Sequence, residues 1–180
     1  MILSAFAAGV QAHSGSIGLY TDANAADCDM DVPPYVPTNI YVVYFKSDSG
    51  PDGITGAEFK VEISNAQVLL LVPVWAPGTM TIGAVQTGIA VTFGDVCTGS
   101  GSATVYLGIL PIMSQMAFDW TMRVLASPVA LEPDNVWVSQ CDATASLHAV
   151  LGGWFHEGDG ACTLPVESSS WGAIKSMYNE

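Results

Sequence analysis

Residues 56–63 read Gly-Ala-Glu-Phe-Lys-Val-Glu-Ile. Ala57, Phe59, Val61 and Ile63 alternate with Glu58, Lys60 and Glu62. Side chains along an extended chain point to opposite faces at period two, so this stretch is a strand with a dry face and a wet face. A helix would scatter the same apolar residues around its circumference. A strand of this kind needs a second apolar layer over its dry face, and that requirement limits the folds open to the chain.

Other segments can supply that layer. Residues 16–22 read as a first strand, and 23–37 as a loop with three prolines. Residues 39–45, Asn-Ile-Tyr-Val-Val-Tyr-Phe, are apolar on both faces and predict a central strand covered on both sides. The turn-rich 47–53 that follows predicts an antiparallel pair between 39–45 and 56–63. Further strands are expected at 67–74, 79–83, 87–93 and 103–113, the last with Val105, Leu107 and Ile109 on one face. In 118–124, Phe118, Trp120, Met122 and Val124 face inward. The last two strands fall at 135–141 and 147–155, the latter weakened by Gly152-Gly153, with 156–160 as a turn. Short strands with Gly, Pro and Asp turns between them predict an all-β fold, a two-sheet antiparallel β-sandwich. A closed barrel is the alternative. The tail differs: Ser170 can cap a short helix in which Trp171, Ile174, Met177 and Tyr178 share a face. The domain expectation is a leader at 1–12, a sandwich at 13–165 and a tail at 166–180.

The chain of 180 residues carries 17 acids against four bases, a net charge of −13. That surface repels phosphate backbones and anionic lipid, which excludes nucleic acid as an expected partner. No stretch is long and apolar enough for a membrane span. Residues 1–12 are apolar, rich in small residues, and end Val10-Gln11-Ala12. They resemble the back half of a signal peptide without its positively charged front, and predict a truncated signal; an apolar strand is the alternative. Four cysteines, Cys28, Cys97, Cys141 and Cys162, agree with export and disulfide bonding. Three pairings are open. Cys28–Cys97 and Cys141–Cys162 are expected, because the second pair flanks one hairpin-like segment.

No residues announce a reaction. His13, His148 and His156 are dispersed, and His156-Glu157 lacks the second histidine of a zinc-protease motif. Gly99-Ser100-Gly101-Ser102 does not contain the G-x-S-x-G elbow. Glycosidases need two carboxylates at a set separation, and no pair stands out as such. Asp22, Asp27, Asp29 and Asp31 crowd one loop and are the candidate calcium ligands, although EF-hand spacing is absent. Trp75, Trp137 and Trp154 are the candidate ligand-binding residues, as a stacking platform for a glycan. Trp171, Ile174, Lys175 and Tyr178 are the candidate recognition residues of the tail, read as a peptide helix lying in a groove.

Gly18-Leu19-Tyr20 with Cys28, Gly56-Ala57-Glu58-Phe59-Lys60-Val61, and Gly88-Ile89-Ala90-Val91 leading to Cys97 resemble segments of small secreted bacterial sandwiches of immunoglobulin-like or cohesin-like type. Trp171-Gly172-x-x-Lys175 resembles the ending of such proteins. The likeness covers most of the chain, and the cysteines depart from the usual cohesin arrangement. Cohesin domains bind dockerin modules, but no dockerin-contacting residues are recognised here and no activity carries over; the expected function is a secreted, non-catalytic binding or structural module of the cell surface, extracellular space or periplasm. The expected partner is an extracellular protein or a glycan. No cofactor is expected other than calcium. A carbohydrate-binding module is the alternative function, followed by a glycoside hydrolase.

Overall fold

The computed structural model describes residues 14–48, 50–117, 119–130 and 133–158. The strands in chain order are β1 (Gly15–Tyr20), β2 (Asp29–Met30), β3 (Thr38–Lys46), β4 (Ile54–Ile63), β5 (Val68–Leu70), β6 (Val74–Trp75), β7 (Met80–Ala84), β8 (Gly88–Thr92), β9 (Thr104–Ser114), β10 (Thr121–Leu125), β11 (Val136–Gln140), β12 (Leu147–Gly152) and β13 (Trp154–Glu157). They form a β-sandwich. One layer runs β1–β3–β9, with β5 and β6 side by side on β9. The other runs β7–β8–β4–β11–β12. It continues through β10 and β13 to β2.

The alternation of 56–63 holds. Ala57, Phe59 and Val61 are buried, and Glu62 is exposed. Their dry face meets Ile40, Val42 and Tyr44 of β3 and Leu107, Leu110 and Ile112 of β9 in one core. Strand β3 is also covered on its far side, where Val43 packs with Tyr20 and Cys28. Ala25 and Cys28 of the 23–37 segment lie on that side, which is why both faces of 39–45 are apolar.

The expected pairing of 39–45 with 56–63 is not formed. β3 pairs with β1 and β9, whereas β4 pairs with β8, β10 and β11. The connection 47–53 crosses from one layer to the other, so the two dry faces meet across the core instead of side by side. The run 67–74 is divided into β5 and β6, with Pro73 between them. In β9 the register shifts opposite Val42 and Val43. The inward phase then changes from Val105 and Leu107 to Leu110 and Ile112, which leaves Ile109 only partly buried. The expected turn at 156–160 starts later, because His156 and Glu157 belong to β13.

The two layers are stitched together along one side. Strand β12 pairs in parallel with β1 at Ser16↔Leu151 and Ile17↔Gly152. Gly152-Gly153 ends β12 and starts β13 on the other side of this crossing. The Gly153 N–H donates to the Ile17 carbonyl at 2.8 Å, and its carbonyl accepts from the Val124 N–H at 2.9 Å. A side chain at Gly152 would run into the Val124 carbonyl. Tyr44 Oη donates to the Ser14 carbonyl at 2.9 Å, and burial pushes the Tyr44 phenol up to about 12. His148 lies beneath the seam, 2.6 Å from Gln140 Oε1 through Nε2 and 3.2 Å from Ser14 Oγ through Nδ1. With Nε2 donating to the amide oxygen, Nδ1 accepts from the serine hydroxyl.

A candidate protein-binding face

The outer surface of β7–β8–β4–β11–β12 is built by register. Strand pairing aligns Ile82, Ala90, Glu58, Trp137 and Ala149 in one row. Met80, Thr92, Gly56, Ser139 and Leu147 form the adjacent row. Glu58 is the only charged side chain in these rows. An irregularity at Ser139/Gln140 turns Thr55 outward beside them, and its hydroxyl lies 2.9 Å from Ser139 Oγ. Thr92 Oγ1 donates to the Thr55 carbonyl at 3.2 Å. Gly56 leaves the second row without a side chain, and a shallow depression of about 170 Å³ opens there. Trp137, Leu147, Ala90 and Thr92 surround it. A Cβ on Gly56 would stand 2.8 Å from the Val91 carbonyl, so the backbone itself forms the floor.

The base of this face is tied covalently. Cys97 follows β8, Cys141 follows β11, and a disulfide joins them with Cα atoms 5.4 Å apart. The bond crosses the start of β4, which lies between those strands. Gly53 sits underneath at φ +98°, where a Cβ would come within 2.7 Å of Cys97 Sγ. Next to it, Asp52 accepts from the Gly101 N–H at 2.9 Å and from Lys46 Nζ at 3.2 Å. The Gly101 N–H, then Lys46, holds the Asp52 carboxyl below its usual range. Asp142 binds the Ser146 hydroxyl at 2.7 Å and the Ser146 N–H at 2.9 Å. These contacts bring its carboxyl down to about 2.

The expected pairings Cys28–Cys97 and Cys141–Cys162 are therefore corrected. Sequence proximity favoured Cys141 with Cys162, but strand order puts Cys97 beside Cys141. Cys28 is disulfide-bonded as well. Cys162 lies outside the described residues, as do residues 1–12, the tail residues Trp171, Ile174, Lys175 and Tyr178, and the tail helix.

The three candidate tryptophans are not brought together. Trp75 points into the core, edge-on to Phe59 at 6.3 Å. Trp137 faces outward on β11 but is only 8% exposed. Trp154 lies on β13 under the Arg123 guanidinium, 3.5 Å from the ring centre, and is stacked with His156. No common platform for a sugar results. The acidic loop is dispersed too. Asp22 Oδ1 accepts from the Asn24 N–H at 2.6 Å, and Asp29 is in β2 beside His156. Burial, then the charges of Asp119 and Asp31, raises the Glu157 carboxyl against a lowering bond from the Val32 backbone. Among the described residues, no three His, Cys, Asp or Glu side chains are grouped to hold a metal ion. No described helix is long and apolar enough to cross a membrane.

No protein-family model matches the sequence, and no curated protein matches it. Solved structures do match in shape. The cohesin module of a family 33 glycoside hydrolase from Clostridium perfringens superposes with a TM-score of 0.55 at 8% identity, covering 82% of this chain and 100% of that one. The fold is cohesin-like. The sixth cohesin of Acetivibrio cellulolyticus scaffoldin B, determined with a dockerin, gives 0.54 at 10% identity over 81% and 98%. A non-cellulosomal cohesin from the archaeon Archaeoglobus fulgidus gives 0.50 at 6% over 89% and 96%. At such identities the shape of the cohesin-like sandwich is shared, and side-chain chemistry is this chain's own. Register, rather than any motif, reveals the outer face: Ala90, Trp137 and Leu147 are scattered in sequence and meet only through strand order.

Proposed function

We propose that this cohesin-like chain is a non-catalytic protein-binding module of the cell surface or extracellular space, and that the outer face of β8–β4–β11–β12 receives its partner. The observation that carries the reading is the pair of rows across the sheet, uncharged except for Glu58 and mixing apolar groups with the Thr92 and Ser139 hydroxyls, around a depression floored by Gly56. Trp137, Ala90 and Leu147 with interspersed hydroxyls and a single charge give a flat face the aromatic and charge-poor composition of a protein interface. The Acetivibrio cohesin bound to a dockerin supports a partner of that class. The Cys97–Cys141 disulfide fits an oxidising compartment.

Calorimetric titration against a panel of dockerin modules tests the reading. At least one dockerin is expected to bind. Ala90→Arg should weaken it about 100-fold, because a charge is forced into the centre of the contact. Arg123→Ala, on the strands at the other end of β4, should leave it unchanged. Failure of every dockerin to bind, or equal affinity for the Ala90→Arg protein, overturns the assignment.

A further inference from the structure

Between Glu62 and Asp95 the sequence contains no charged residue and no histidine, in a chain whose net charge is −13. The gap spans β5, β6, β7 and β8. It coincides with the side of the sandwich opposite the β1–β12 seam, where β7 ends one layer and β5 and β6 end the other. Large apolar side chains stand in water there. Val72 is 82% exposed, Ile82 76%, Met80 63% and Val74 56%. Among the described residues β7 pairs with β8 alone, and all five of its residues are exposed. Its other edge is thus a row of backbone N–H and C=O groups with no β-partner among the described residues.

Edge strands of monomeric proteins are ordinarily protected by a lysine, a proline, an inward charge, a bulge, a very short length or a covering segment. Strand β7, Met-Thr-Ile-Gly-Ala, contains none of the first three. We propose that β7 is the contact strand of a homodimer, pairing antiparallel with β7 of a second copy about a two-fold axis. Centred on Ile82, that pairing places Ile82 against Ile82 and Met80 against Ala84. It joins the two outer sheets into one continuous sheet.

Charge selects a second copy over a basic partner. Two bodies of −13 repel each other, and contact is tolerable only through a surface free of acid. A basic partner would instead be drawn to acidic surface and would have no need of a neutral one. The described cations cannot serve as bridges between copies, because Lys46 is on Asp52, Lys60 is near Glu62 and Arg123 covers Trp154. The dimer strand shares Ile82 and Met80 with the outermost end of the two rows, while the centre of the proposed docking face at Ala90 and Trp137 stays open when β7 pairs.

Sedimentation velocity on the full chain, from about 1 to about 300 µM, tests it together with amide hydrogen exchange of Met80–Ala84. The expected result is a mass rising toward twice 18.8 kDa, with protection of the β7 amides rising in parallel. Raising salt from about 0.05 to about 0.5 M should tighten the dimer, since repulsion between the acidic bodies is screened. Ile82→Lys should raise the dissociation constant about 100-fold with the melting temperature unchanged. A monomer at every concentration overturns the proposal. So does a dimer indifferent to Ile82→Lys, or β7 protection independent of concentration, which would mean that the chain's own segments cover the edge.

Discussion

The two sides of the sandwich are made differently. On the seam side, β1 and β12 pair in parallel, and Gly152-Gly153, Ser14, Tyr44 and His148 interlock over a few residues. On the open side, β5, β6 and β7 each have one β-partner among the described residues, and Leu69, Val74, Met80 and Ile82 are exposed. The seam side is intolerant because backbone approaches backbone closely there. The open side is tolerant to substitution but prone to association. Close backbone interlocking is thereby concentrated on one side, and exposed apolar side chains on the other.

The largest expected effect is at the seam. Gly152→Val should cost about 4 kcal/mol or more, as its side chain has only the Val124 carbonyl to move into. A soluble variant with an unaltered denaturation midpoint would show that the seam yields. Cys97→Ser with Cys141→Ser removes the strap that holds the β8 side of the sheet to β11. For a separation of 44 residues the chain-entropy model gives about 4 kcal/mol, readable in the urea midpoint. A loss well below about 2 kcal/mol would mean that strand pairing alone anchors the open side.

Tyr44→Phe removes the bond to the Ser14 carbonyl and should cost about 1–2 kcal/mol by the same measurement. Acid should act at the strapped base. The Asp142 carboxyl drops from 3.8 to about 2 on folding. A depressed folded value means that its stabilisation is complete above pH of about 4 and is lost as pH falls toward 2. The melting temperature should decline across that window, and Asp142→Asn should blunt the decline. An identical pH profile in the variant would remove Asp142 from the account. Smallest of all is Val72→Ser on the open side, expected to change stability by less than about 0.5 kcal/mol. A larger loss would show that the open side contributes to the core.

Much of this could be read before any coordinates. The alternation at 56–63, the two-faced apolar run at 39–45, the inward set Trp120, Met122 and Val124, and the break at Gly152-Gly153 all appear in the structure where the residues imply them. The site was far less legible. Trp75, Trp137 and Trp154 look alike in sequence, yet one enters the core, one faces the depression and one lies under an arginine.

Local periodicity, then, determined which residues form strands and which side of each strand is dry, because the twofold alternation of side chains is a property of the backbone within one segment. Tertiary structure alone decided which strands are neighbours. Backbone hydrogen bonds are alike for any pair of strands, so nothing local favours β3 beside β9 over β3 beside β4. The same non-local choice put Cys97 rather than Cys162 next to Cys141, changed the inward phase of β9 after Leu107, and gathered Glu58, Ala90, Trp137 and Leu147 into one face.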